Sequence, residues 1–289
     1  MSAIPDVRLS PIAGTWYPGE PEALRQQIEA RLQSAILPDL PGDVVALVAP
    51  HAGYRYSGHT AAHAFRAVLG NSYDMVAVVS PFHRYPPASM LTSAHAAYET
   101  PLGRVPVDRA ALNALDLALQ ERNMPALQPL ARDQEHSLEI QLPFLQCVLA
   151  DEFQLLPVML ATHEAAALHH LGDALAQVIG ERRALLVAST DLSHFYPLSV
   201  ARSLDTHILE RMALLQPQAV LEADRSGAGQ ACGAMAVAAV LWAALDLGAT
   251  QAIQLHYSTS ADGGAGEDSV VGYGALAILK PGASQAASQ

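Results

Sequence analysis

Val44-Val45-Ala46-Leu47-Val48-Ala49-Pro50-His51-Ala52-Gly53-Tyr54 is an apolar run that ends abruptly in a proline and a histidine. Continuous apolar runs of this kind read as strands covered by helices on both faces. Comparable runs recur at Met75 to Ser80, Gln154 to Leu160, Ala184 to Ser189, Ile253 to Tyr257 and Val270 to Leu279. Between and around them lie segments of helical character: Glu20 to Gln33, Ser57 to Val68, Asp108 to Glu121, His136 to Leu149, Glu164 to Ile179, Val200 to Leu215 and Ala231 to Leu247. The alternation predicts an α/β fold with a mostly parallel central sheet and helices on both faces, because parallel strands need crossover connections.

At 289 residues, with 51% hydrophobic and 15% charged residues, the chain suits one large core. A single domain over 1–280 is the simpler reading, and the Ser, Ala, Gln and Gly-rich stretch 281–289 is expected to be a disordered tail. A net charge of −12 repels phosphate backbones and anionic lipid, so nucleic acid is not an expected partner. Cys147 and Cys232 lie far apart and advertise neither a disulfide framework nor a paired zinc site. The start carries no basic stretch followed by an apolar run, and Cys232 to Leu245 falls short of the roughly 20 residues that cross a bilayer. The expectation is a cytoplasmic protein without a membrane span. The segment 258–268, with Gly263, Gly264 and Gly266, reads as a flexible loop able to serve as a lid.

In open α/β sheets chemistry gathers beyond the carboxyl ends of the strands. Here three strands end in histidine: Pro50-His51, Pro81-Phe82-His83, and Thr190-Asp191-Leu192-Ser193-His194. Any one of them alone reads as a cap or a loop hydrogen bond; their shared position points to a rim that holds a transition metal, since imidazole is borderline-soft and neutral near physiological pH. Cys232 follows a glycine-rich turn into an apolar helix, where the positive helix end favours the thiolate that binds metals. Ligand and buried packing are balanced readings of it. Cys147 reads as core filler. Glu135-His136 opens a helix, where capping competes with a contact to substrate or to the ligands. His59 and His63 share an i, i+4 spacing but lack an intervening Glu, and read as packing or surface residues; His256 has no distinguishing context. No Walker, GxGxxG or GxSxG pattern is present in a strand-to-helix setting.

Taken together, Ala13-Gly14-Thr15-Trp16-Tyr17-Pro18, Ala49-Pro50-His51-Ala52-Gly53-Tyr54 with Ser57-Gly58, Ser80-Pro81-Phe82-His83, Glu135-His136-Ser137-Leu138-Glu139, Ser189-Thr190-Asp191-Leu192-Ser193-His194 and Ala231-Cys232-Gly233 resemble the Memo family, whose bacterial and archaeal members are called AmmeMemoRadiSam system protein B. The resemblance runs from about Leu9 to Leu279. It implies a fold similar to the class III extradiol dioxygenases, which are non-haem iron enzymes, and a pocket with His51, His83 and Cys232 as metal ligands. His194 then falls where those enzymes keep an acid/base histidine, with Asp191 on the same loop to orient it. Glu135 and His136, at their helix entry, and Tyr54 are the expected residues to touch the substrate or support the ligands. A cysteine in place of the dioxygenase carboxylate means that ring cleavage does not simply carry over.

Three functions remain open on this reading. The first is a metal-dependent redox enzyme, dioxygenase-like, acting on an unknown small molecule with iron, or else copper. The second is a non-catalytic module that binds a peptide or protein in the inherited pocket, and the third is a zinc hydrolase. The resemblance further implies radical-SAM and AMMECR1-like proteins as partners in one system.

Overall fold

The strand at Asp43–Ala49 has nothing but apolar side chains after its first residue, so it is stable only where both faces are covered. A computed structural model describes residues 6–180 and 182–282 of the chain. In chain order its elements are β1 (Val7–Arg8), α1 (Pro21–Ser34), β2 (Asp43–Ala49), α2 (Tyr54–Arg66), β3 (Met75–Pro81), β4 (Met90–Ser93), β5 (Ala97–Thr100), β6 (Gly103–Pro106), α3 (Arg109–Glu121) and β7 (Gln128–Leu130). A 3-10 turn at Glu139–Gln141 leads into α4 (Leu142–Val148). There follow β8 (Gln154–Leu160), α5 (Ala165–Ile179), β9 (Ala184–Ser189), β10 (His194–Tyr196), α6 (Leu198–Ala213), α7 (Pro217–Ser226), α8 (Ala234–Asp246), β11 (Gln251–Thr259) and β12 (Val270–Lys280).

The main sheet has nine strands in the order β10-β12-β2-β9-β3-β8-β4-β7, with β11 also paired to β12. Its centre, β2-β9-β3-β8, is parallel. The expectation of a mostly parallel sheet is corrected at both flanks: β12 runs antiparallel to β2, β11 and β10 antiparallel to β12, and β4 antiparallel to β8. The sheet is mixed. An apolar run reports that a strand is buried, not which way it runs, and β11 reaches β12 through a loop rather than a helix. Helices form two groups that pack among themselves, α1 with α2 and α4, and α3, α5, α8 and α7 in succession. A second sheet, β1-β5-β6, stands apart and was not expected.

The four parallel strands carry the expected apolar runs, with their ends shifted by a residue at most. Helix α2 begins at Tyr54, three residues before the expected Ser57, so the chain turns into a helix almost at once after His51. The expected tail overlaps the described residues only at 281 and 282; residues 283–289, like residues 1–5, lie outside them. Among the described residues no helix is long and apolar enough to cross a membrane.

Candidate metal centre

Strands β2, β9 and β3 are parallel neighbours, so their carboxyl ends open on one side of the sheet. His51 follows β2, His83 follows β3, and Asp191 and His194 follow β9. All four line one cavity of about 790 Å³, whose wall also includes His136, Trp16, Tyr56 and Phe195. The loop expected as a lid forms part of this wall through Ser260 and Ala265.

The hydrogen-bond partners of each ring fix its tautomer. The Ser189 hydroxyl donates to the Ser137 carbonyl at 2.6 Å and accepts from Gln141 Nε2 at 2.8 Å. Its one hydrogen is therefore committed, and at 2.9 Å from His51 Nδ1 it can only accept. His51 thus carries its proton on Nδ1 and presents the Nε2 lone pair. His83 Nδ1 lies 3.0 Å from Glu135 Oε1, and the His83 backbone N–H donates to Glu135 Oε2 at 2.6 Å. His194 Nδ1 donates to the Leu192 carbonyl at 2.8 Å. Each ring is held by Nδ1, the arrangement by which proteins orient metal-binding imidazoles, and Nε2 of His51 faces the Cys232 sulfur.

Two expectations change here. Asp191 does not orient His194: its Oδ1 accepts from the backbone N–H groups of His51 (2.7 Å) and Ala52 (3.2 Å), so it shapes the turn after β2. Tyr54 is buried, donates to the Ile140 carbonyl at 2.8 Å and packs on Phe144, while the tyrosine of the same helix that lines the cavity is Tyr56.

At this end of the sheet His51, His83 and His136 converge, with ligand atoms that all lie within 4.8 Å of one another. His136 packs at a tilt against Trp16 with ring centroids 4.2 Å apart and stacks on His83 at 5.0 Å. Cys232 stands beside one member of the group, its Sγ 3.1 Å from His51 Nε2. It is held there because the chain entering α8 is laced to the end of β9: Cys232 N–H donates to the Asp191 carbonyl at 3.2 Å and Gly233 N–H to Thr190 Oγ1 at 2.9 Å. A Cβ on Gly233 would lie 2.3 Å from the Ser189 carbonyl oxygen, so the close approach needs glycine.

Burial favours the neutral form of three of the rings at this end of the sheet. Burial, then the neighbouring His83 and His136, push His51 well below the usual histidine range. Burial likewise lowers His136 to about 4 and depresses His194. Burial works to raise the Glu135 carboxyl, but hydrogen bonds and charge from His83, with the Ser137 N–H, hold it well below its ordinary range. Burial pushes Asp191 up to about 7 against the two N–H groups it accepts. The Cys232 thiol is driven well above its ordinary range by burial and then by Asp191. Cys232 stands two residues before α8, which starts at Ala234, and burial there opposes the thiolate that the helix end was expected to favour.

Sequence comparison matches nearly the whole molecule to one family. The family model described as Memo-like protein matches residues 8–277. The chain belongs to the Memo family. Among its relatives, a MEMO1 family protein of Nitrosopumilus maritimus is 31% identical, with 94% of this chain and 100% of the relative covered. One of Methanopyrus kandleri is 32% identical over 93% and 98% of the two chains, and one of Methanothermobacter thermautotrophicus 33% over 93% and 99%. What sequence reasoning missed in this Memo protein is the support. Ser189 and Gln141 carry no chemical signature of their own, and Trp16, though part of a quoted motif, gives no sign that it packs on an imidazole.

Proposed function

We propose that the cavity is the centre of a metal-dependent redox protein, with His51, His83 and Cys232 holding a transition ion, iron first and copper or zinc as alternatives. The observation that supports this reading is that ligand atoms of His51, His83 and His136 lie within 4.8 Å of one another, with the Cys232 sulfur 3.1 Å from His51 Nε2. Imidazole nitrogen and thiolate sulfur suit iron, copper and zinc rather than magnesium or calcium. Of the two nearby carboxylates, Glu135 is engaged with His83, and Asp191 gives its Oδ1 to backbone N–H groups while its Oδ2 stands 4.0 Å from His51 Nε2, farther than the Cys232 sulfur. Cys232 is thereby left as the anionic ligand where the extradiol dioxygenases, to which this fold is related on our reading, use a carboxylate. His136 is close enough to complete the set or to meet a substrate.

When bound, such an ion supplies Lewis acidity and, if iron or copper, an electron-transfer partner for a small molecule in the cavity. The chain's own residues do the rest. His194, neutral through burial and with Nε2 free, accepts a proton from the substrate. Asp191, at about 7, exchanges a proton near neutral pH while holding the turn that carries His51. Trp16, Tyr56 and Phe195 offer flat apolar faces to a small unsaturated substrate. Because the Cys232 proton must leave when a cation binds, affinity should rise with pH.

Radical-SAM and AMMECR1-like partners and a cytoplasmic location, where the thiols stay reduced, belong to the same reading. The test is the metal content of anaerobically purified wild type, His51→Ala and Cys232→Ala. Iron or copper in the wild type and its loss in both variants is expected. Equal content in all three overturns the proposal, and colourless, air-stable zinc at one equivalent redirects it to hydrolysis.

A further inference from the structure

Outside this centre the molecule holds a second group of imidazoles, built from residues that sequence reasoning set aside. His59 and His63 lie one turn apart on α2, and His256 reaches them from β11. The pairing of β11 with β12 slips between Gln254 and His256, and such a bulge re-aims the neighbouring side chain. The ligand atoms of the three histidines all lie within 4.8 Å of one another. His59 packs edge-on to His63 and His256 at 4.8 and 5.0 Å between ring centroids, and His63 stacks on His256 at 4.1 Å.

We infer that His59, His63 and His256 form a second metal site, one that takes a divalent first-row ion favouring imidazole, of which zinc is the probe. Two of the rings are already oriented as ligands. His63 Nδ1 donates to the His59 carbonyl at 2.9 Å, which frees Nε2. His256 Nδ1 sits 2.9 Å from Thr60 Oγ1, itself 2.6 Å from Ser258 Oγ, so a relay of two hydroxyls fixes that ring from behind. Zinc–nitrogen bonds of about 2.0–2.1 Å require the three nitrogens to draw together by about an ångström, within reach of side-chain rotation. The site opens on a second cavity of about 540 Å³, which shares Arg55 and Tyr56 with the first and also holds Asp262, whose charge offsets one of the two arginines, Arg55 and Arg202, on its wall. Three protein ligands leave one position for water or an anion. The ion would join α2 to β11, just before the loop that lines the first cavity.

This site stands whether or not the first one holds a metal, and titration of the full-length, metal-stripped protein with zinc separates the two. Wild type is expected to take up two equivalents. His59→Ala, an exposed position that should not disturb folding, should lose one of them, and the remaining equivalent should vanish only when His51→Ala and His83→Ala are added. Thr60→Val keeps all three ligands and should weaken the second equivalent by roughly 10-fold. A His59→Ala protein that binds zinc as wild type does, in number and affinity, overturns the inference. So does a wild type whose zinc is abolished entirely by His51→Ala and His83→Ala.

Discussion

Ser189 is the residue on which the geometry of the first centre turns. Its hydroxyl meets His51 Nδ1, Gln141 Nε2 and the Ser137 carbonyl at once, at the end of a strand that reads from sequence as plain core. Ser189→Ala removes a single oxygen yet frees the His51 ring to flip. Metal affinity should fall by roughly 10–100-fold, measured by competition with a chelator, while the far-ultraviolet circular dichroism stays unchanged. His51, His83 and His194 could be found from sequence because each stands just past the carboxyl end of an apolar run. His136 could not be ranked, because its convergence depends on a turn that Glu135 folds by accepting the N–H groups of His136 and Ser137, each at 2.9 Å. His256 was invisible for a different reason: only a bulge nearly two hundred residues from His59 and His63 aims it at them.

At the scale of elements, the short strand β1 explains how the Asp133 to Glu139 segment stays in place. Arg8, 2% exposed, pairs with Asp133 Oδ1 at 2.8 Å and with Glu139, and Tyr17 donates to Glu139 at 2.7 Å. Arg8→Met leaves two carboxylates buried without their cation. A loss of about 3–5 kcal/mol is expected in urea unfolding, together with loss of the His83–Glu135 contact and of metal. The variants Asp133→Asn and Glu139→Gln in the same background should restore part of the stability. Elements with only apolar residues, such as β3 and β9, were legible because no other environment suits them. Strands β4 to β7 were not, since they are short, partly polar and defined by their partners. Helix α7 was not among the expected helices; its Pro217 stands in the first turn, where it costs no hydrogen bond.

For the whole molecule, the buried imidazoles make acid the natural denaturant of the metal-free protein. His51, His136 and His194 all sit below their unfolded value, so between about pH 6.5 and 4 the unfolded chain takes up protons that the folded one refuses. Their contribution is present above the unfolded value and is lost as pH falls. His136 alone accounts for roughly 2 kcal/mol after allowance for its partial exposure. Asp191 acts in the opposite sense: raised to about 7, it favours the folded state at low pH and loses that contribution as pH rises from 3.8. The urea midpoint should therefore drop between pH 6.5 and 4.5, and drop more steeply in Asp191→Asn. If residues 1–280 form one domain, as we propose, emission from Trp16 and Trp242 will follow the same transition as the backbone signal.

Phe195, on the wall of the first cavity, has φ of 65° and leaves 74% of its surface in water. A bulky residue in left-handed backbone is under strain; here it sits where the pairing of β10 with β12 slips, its ring edge-on to His194 at 5.6 Å. Phe195→Gly should make the protein more stable by about 1 kcal/mol, read from thermal or urea unfolding, while weakening capture of whatever aromatic or unsaturated guest the cavity admits. At this one position robustness and recognition would pull in opposite directions, and a search for hardier variants of the protein would tend to erase its doorway.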